Sequence, residues 1–131
     1  MNEFEKINTY TFKKVERLSS KKTIQELFNN GSSFYLYPLK VLYLPNPQSG
    51  VNQILFTVPK RIFKRAIDRN LLKRKLREAY RLHKHLLTPN LQIISIAYIY
   101  TSKEIVDYNT IANQLEQSLI RIRKHIEKEP T

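Results

Sequence analysis

The sequence predicts a single α+β domain, one sheet packed by helices, with elements in the order α-β-β-α-β-α. Three observations lead there. Runs rich in β-branched and aromatic residues occur at 34–44, 53–58 and 91–100. Between and around them, three segments repeat apolar residues at i, i+3 and i+4. The 131 residues, 41% apolar, suffice for one modest core.

Taken in order, residues 1–16 show no period and are expected as a flexible arm, with Phe4, Tyr10 and Phe12 as docking points. The domain proper is expected over 17–125 and a frayed tail over 126–131. Ser19 or Ser20 caps a helix reaching about Asn29, with Ile24, Leu27 and Phe28 as its inner stripe. Spacing alone assigns Phe28 to the core. Gly31 is expected to stop this helix in a left-handed conformation. FYLYPLKVLYL (34–44) reads as one strand, with Pro38 confining its start to an edge or bulge. QILFTV (53–58) is the second strand, and the two are expected to form an antiparallel hairpin.

A basic helix follows from Ala66, fraying near 83–87. LQIISIAYIY (91–100) is almost continuously apolar, as a strand inside a covered sheet should be. Asp107 or Asn109 caps a last helix reaching about Lys124, with Ile111, Leu115, Leu119 and Ile122 facing inward. Helices mostly on one face of the sheet is the expected packing, and helices on both faces the alternative. An uncovered face would present Tyr and Phe able to stack unpaired bases, though any single Tyr fits the core equally well.

Charge is concentrated in the basic helix. Lys60 to Lys84 holds eleven Lys or Arg against Asp68 and Glu78, and so carries nine of the chain's twelve net positive charges. At about 100° per residue, Arg69, Asn70, Lys73, Arg74, Arg77, Arg81 and Lys84 fall within an arc of roughly 140°. Leu71, Leu72, Leu76, Ala79 and Leu82 fall opposite. Like charges four residues apart destabilise an isolated helix by a few tenths of a kcal/mol each. A polyanion relieves that repulsion and releases condensed counterions. The pattern points to a nucleic-acid-binding face.

Composition narrows the chemistry. With no Cys, disulfides, zinc knuckles and thiol nucleophiles are excluded, and with two Gly, phosphate-cradling glycine loops are too. No run approaches the ~18 apolar residues of a membrane span. The acidic N-terminus does not read as a signal peptide, so a cytoplasmic protein without a membrane partner is expected. His83, His85 and His125 lack the further ligands or nucleophiles of a metal or catalytic site, so neither is expected.

Arg69-Asn70-x-x-Lys73-Arg74-x-x-Arg77-Glu78-x-x-Arg81 resembles the signature helix of the bacterial ribonuclease P protein subunit. The surroundings agree in order: Arg17-Leu18, a helix with Phe28, Gly31, Val41-Leu42-Tyr43, then Phe56-Thr57-Val58-Pro59-Lys60-Arg61. The resemblance implies an RNA-binding subunit of an endoribonuclease, partnered by a catalytic RNA and precursor tRNA rather than DNA. That ribonucleoprotein removes the tRNA 5′ leader. Its chemistry and its Mg²⁺ requirement belong to the RNA, with no cofactor bound by the protein.

Carried over by position, Lys60, Arg61, Arg69, Asn70, Lys73, Arg74, Arg77 and Arg81 are expected to contact the catalytic RNA. Ile24, Phe28, Tyr43 and Phe56 are expected to line a leader-binding cleft. The resemblance also implies a left-handed βαβ crossover. Two departures stand out: Ile24 where the family often has Phe, and Lys64-Arg65 where it favours Gly-Asn. The rival reading, a general RNA-binding or ribosome-associated module, explains the charge but not the ordered motifs.

Overall fold

Pro38 divides what reads as one apolar run into two strands. In the computed structural model, which describes residues 12–87 and 92–128, β1 (Ser32–Leu36) and β2 (Leu39–Pro45) form a tight antiparallel hairpin about Tyr37-Pro38. The expected 34–58 hairpin is therefore displaced to 32–45. β3 (Gln53–Thr57) does not pair with β2, because β4 (Ile94–Tyr100) lies between them. The sheet order is β1-β2-β4-β3, with β2/β4 antiparallel and β3/β4 parallel. The element order gains one strand, α-β-β-β-α-β-α.

The parallel β3/β4 pair requires a crossover, which α2 (Ala66–His83) supplies. α1 (Lys21–Asn30) precedes the sheet and α3 (Tyr108–Lys128) follows it. Ser20 caps α1 by accepting a hydrogen bond from the Thr23 amide at 3.3 Å. Asp107 does the same for α3 through Thr110, and the carboxylate's hydrogen bonds hold its pKa below the ordinary value. Both caps fall where the sequence predicts them.

Gly31 ends α1, though not in a left-handed conformation: its φ is −71°. A Cβ there would stand 2.4 Å from the Leu27 carbonyl oxygen, so close approach, not backbone freedom, calls for glycine.

Two helices cover one face of the sheet and one covers the other. On the first face Leu39, Val41, Tyr43, Ile54, Phe56, Ile96, Tyr98 and Tyr100 pack against Leu72, Leu76, Ala79 and Tyr80 of α2. The same core takes in Ile111, Leu115, Leu119 and Ile122 of α3, all fully buried, as their spacing predicts. On the opposite face Leu18 and Leu27 meet Leu42 and Ala97, flanked by Ile24, Leu44, Leu55 and Ile99. Each such side chain fully buried stabilises the fold by about 1.5–3 kcal/mol. The apolar side of α2 is rotated slightly from expectation, with Tyr80 buried and Leu82 partly exposed.

The hydroxyls of Tyr98 and Tyr100 are paired, whereas the buried Tyr108 hydroxyl has no hydrogen-bond partner among the described residues. Tyr98 and Ser118 share a 2.7 Å hydrogen bond across the β4–α3 contact, and Ser118 donates to the Leu115 carbonyl. Tyr100 donates to the Glu104 carbonyl and accepts from the Val106 amide, shaping the turn into α3. Phe12 packs edge-on against Phe56 and Tyr80, which anchors the chain ahead of α1; Phe4 and Tyr10 lie outside the described residues.

Candidate nucleic-acid interface

The cationic arc of α2 divides into residues that build structure and residues that do not. Arg69 bends back onto the loop before its own helix, where Nη1 donates to the carbonyls of Phe63 (2.8 Å) and Lys64 (2.9 Å). Phe63 in turn is buried against Tyr100. Arg65, at the N-cap, has φ −81° and ψ 128°, and no residue other than glycine has positive φ among the described residues. Lys64-Arg65 therefore fits this turn without strain.

Further along, Arg81 is engaged by Glu78 through two hydrogen bonds, at 3.1 and 2.5 Å. The guanidinium's hydrogen bond is the main reason the Glu78 carboxyl sits below its ordinary pKa. Lys84 forms a 2.8 Å ion pair with Glu16, both side chains largely buried, joining the end of α2 to the turn before α1.

What remains is a narrower strip. Lys73, Arg74 and Arg77 have no ion-pair partner among the described residues, and Arg74 and Arg77 are exposed. Asn70 is exposed beside them at helical spacing. Lys60 and Arg61, on the loop leading from β3, are likewise exposed and without an acidic partner among the described residues. Six positions of the predicted set are thus polar and at least partly exposed: Asn70, Lys73, Arg74 and Arg77 along α2, and Lys60 and Arg61 on the loop before it. Arg69 and Arg81 are instead engaged within the protein.

The aromatic set is not brought together. Tyr43 and Phe56 are each only 8% exposed and belong to the core beneath α2 and α3. Phe56 stacks on Tyr98 at 5.7 Å, and the Tyr43 hydroxyl is hydrogen-bonded to His125. Ile24 and Phe28 lie on α1, across the sheet. The pleat causes the separation: residues 39, 41 and 43 face one way, and 40, 42 and 44 the other.

α1 does border a groove, lined by other residues. Its Thr23 and Glu26 flank a cavity with Leu44, Pro45 and Ser95. By helical spacing Phe28 projects on the other flank, about 160° from Glu26, and it is 45% exposed. On that side Tyr35, Lys40, Ile99 and Thr57 stand in one cross-strand row on the α1 face of the sheet. Tyr35 and Lys40 are exposed, and Ile99 and Thr57 half-buried. The row combines an aromatic ring, an ammonium and an apolar floor. Sequence reasoning missed it, although period-2 alternation from Leu42 would have put Lys40 on this face.

Among the described residues no three His, Asp or Glu side chains converge as metal ligands, and no helix is long and apolar enough to cross a membrane.

Comparison with known proteins bears on the family and the fold. The family model Ribonuclease P matches residues 12–124. The ribonuclease P protein component of Porphyromonas gingivalis is 39% identical over 124 residues, covering 90% of each chain. Among solved structures, the RNase P protein from Thermotoga maritima is 27% identical with a TM-score of 0.67, covering 81% of this chain and 96% of that one. The Staphylococcus aureus RNase P protein aligns with a TM-score of 0.67 over 85% of this chain and 97% of that one, and at 22% identity it speaks for the fold alone.

Proposed function

Because the chain belongs to the ribonuclease P protein family, we propose that its cationic strip docks on the catalytic RNA while the α1 groove holds the 5′ leader of precursor tRNA. The protein is the RNA-binding component of an endoribonuclease that matures the tRNA 5′ end. In this reading phosphodiester hydrolysis and the Mg²⁺ that assists it belong to the RNA partner. The protein's work is electrostatic and positional, and the cytoplasm is its compartment.

The observation that carries the reading is the set of cations without ion-pair partners among the described residues: Lys73, Arg74 and Arg77 on α2, whose Leu72, Leu76, Ala79 and Tyr80 are buried, and Lys60 and Arg61 on the loop before it. Cations at helical spacing fit phosphates of a folded RNA, and the planar guanidinium of Arg74 or Arg77 loses less freedom per hydrogen bond formed than a lysine does. Asn70 adds a neutral donor and acceptor within the strip. Leader nucleotides then pass along Tyr35, Lys40 and Phe28, where base stacking and one ammonium give grip with little sequence preference. Tyr43 and Phe56 hold the sheet from behind and touch no leader.

The test compares Phe28→Ala with the parent protein in a particle reconstituted with its RNA. Precursor tRNA binding falls by about 5- to 150-fold, the equivalent of about 1–3 kcal/mol for one stacked base, while mature tRNA binding is unchanged. Equal loss for both tRNAs contradicts a leader groove.

A further inference from the structure

A second groove lies on the other side of the sheet, between the edge strand β1 and the C-terminal half of α3. Its volume is about 580 Å³, within the range of about 300–1,000 Å³ that small ligands occupy. Arg121, Lys124 and His125 line it from α3, and Ser32, Ser33 and Phe34 from β1. Among the described residues no carboxylate lines it.

Each wall is set by a specific contact. The Arg121 guanidinium lies 4.4 Å above the Phe34 ring, which fixes the cation over the groove. His125 is held by the Tyr43 hydroxyl and meets the Tyr43 ring edge-on. Lys124 is exposed and has no ion-pair partner among the described residues. β1 is an edge strand, so alternate backbone N–H groups face outward beside Ser32 and Ser33. Two cations, the Ser32 hydroxyl and backbone donors of the β1 edge thus line a partly apolar floor.

We propose that this groove is a second single-stranded RNA site, which takes a phosphate between Arg121 and Lys124 and the attached nucleoside against Phe34. It is separated from the α1 groove by the thickness of the sheet. The choice of RNA as the polyanion rests on the family reading, whereas the site itself rests on the groove's own residues. An RNA strand reaching it would contact the side of the domain that the leader does not.

The experiment is a two-dimensional ¹H–¹⁵N NMR titration of the full chain with a short oligouridylate, and in parallel with inorganic phosphate and with polyglutamate. The proposal expects saturable shifts in Ser32–Phe34 and in the last turns of α3, with oligouridylate binding tighter than either control. Lys124→Ala, an exposed change that leaves the fold intact, removes these shifts but keeps those of α2. Arg121→Gln on its own lowers the salt slope of this site by about 0.7, the value for one single-strand phosphate contact.

Shifts confined to α1 and α2 overturn the proposal. So does an equal response to polyglutamate, or a response that phosphate alone saturates. Stimulation of leader cleavage by the unmodified protein is scored separately, so failure of this groove is distinguishable from failure of the family reading.

Discussion

Replacing Arg69 and Arg74 one at a time separates structure from recognition within a single motif. Arg69 gives two charge-assisted hydrogen bonds to the carbonyls of Phe63 and Lys64. Such bonds contribute up to about 1.5–3 kcal/mol when buried, and partial exposure reduces this pair to about 1–2 kcal/mol. Arg69→Ala therefore lowers Tm by about 3–8 °C. Arg74 is exposed with no ion-pair partner among the described residues, so its removal changes stability by no more than about 0.5 kcal/mol.

RNA binding reverses the order. If Lys60, Arg61, Lys73, Arg74 and Arg77 each neutralise one phosphate, at about 0.9 per contact the slope of log K against log salt is about −4.5. Affinity then falls roughly 500-fold between about 50 and 200 mM salt. Arg74→Ala reduces the slope by about one. Arg69→Ala leaves it nearly unchanged at temperatures where the protein is folded. Calorimetry and filter binding across a salt series measure both quantities. Equal slope losses for the two variants, with Tm unchanged in Arg69→Ala, would refute the division of roles.

Other outcomes follow from the same contacts. Phe56→Ala, a truncation within the Phe12–Tyr80–Tyr98 cluster, costs about 3–5 kcal/mol in denaturant unfolding, and Phe28→Ala on the surface costs far less. Gly31→Ala drives a methyl into the Leu27 carbonyl and destabilises by about 1–3 kcal/mol, visible as a lower urea midpoint. Burial raises the phenol pKa of Tyr80 and Tyr98 in the folded state. Since the unfolded chain releases these protons near pH 10, their contribution is complete below that pH and is lost as pH rises above it. Ultraviolet titration should show both phenols ionising only together with unfolding.

The helices were legible because each repeats its apolar spacing several times, as Ile111, Leu115, Leu119 and Ile122 do. Capping residues at Ser20 and Asp107 were legible for the same local reason. The β1–β2 division was not, since FYLYPLKVLYL is apolar on both sides and a sheet covered on both faces hides the alternation that marks strand ends. The parallel β3/β4 pairing joins residues about forty apart, which no local pattern encodes. Motif order and spacing located the cationic helix, yet Arg69 looks like its neighbours in sequence. Only the path of the loop before α2 reveals its clamp. Tyr43 and Phe56 carried the right residue type but the wrong pleat parity, while Tyr35 and Lys40 showed no pattern of their own.

The most direct measurement is 5′-leader cleavage of precursor tRNA at low Mg²⁺ by a bacterial ribonuclease P RNA, with and without this protein. The account predicts strong stimulation by the parent protein, most of it lost when Lys73, Arg74 and Arg77 become Ala. Absence of stimulation by folded protein paired with its own RNA would contradict it.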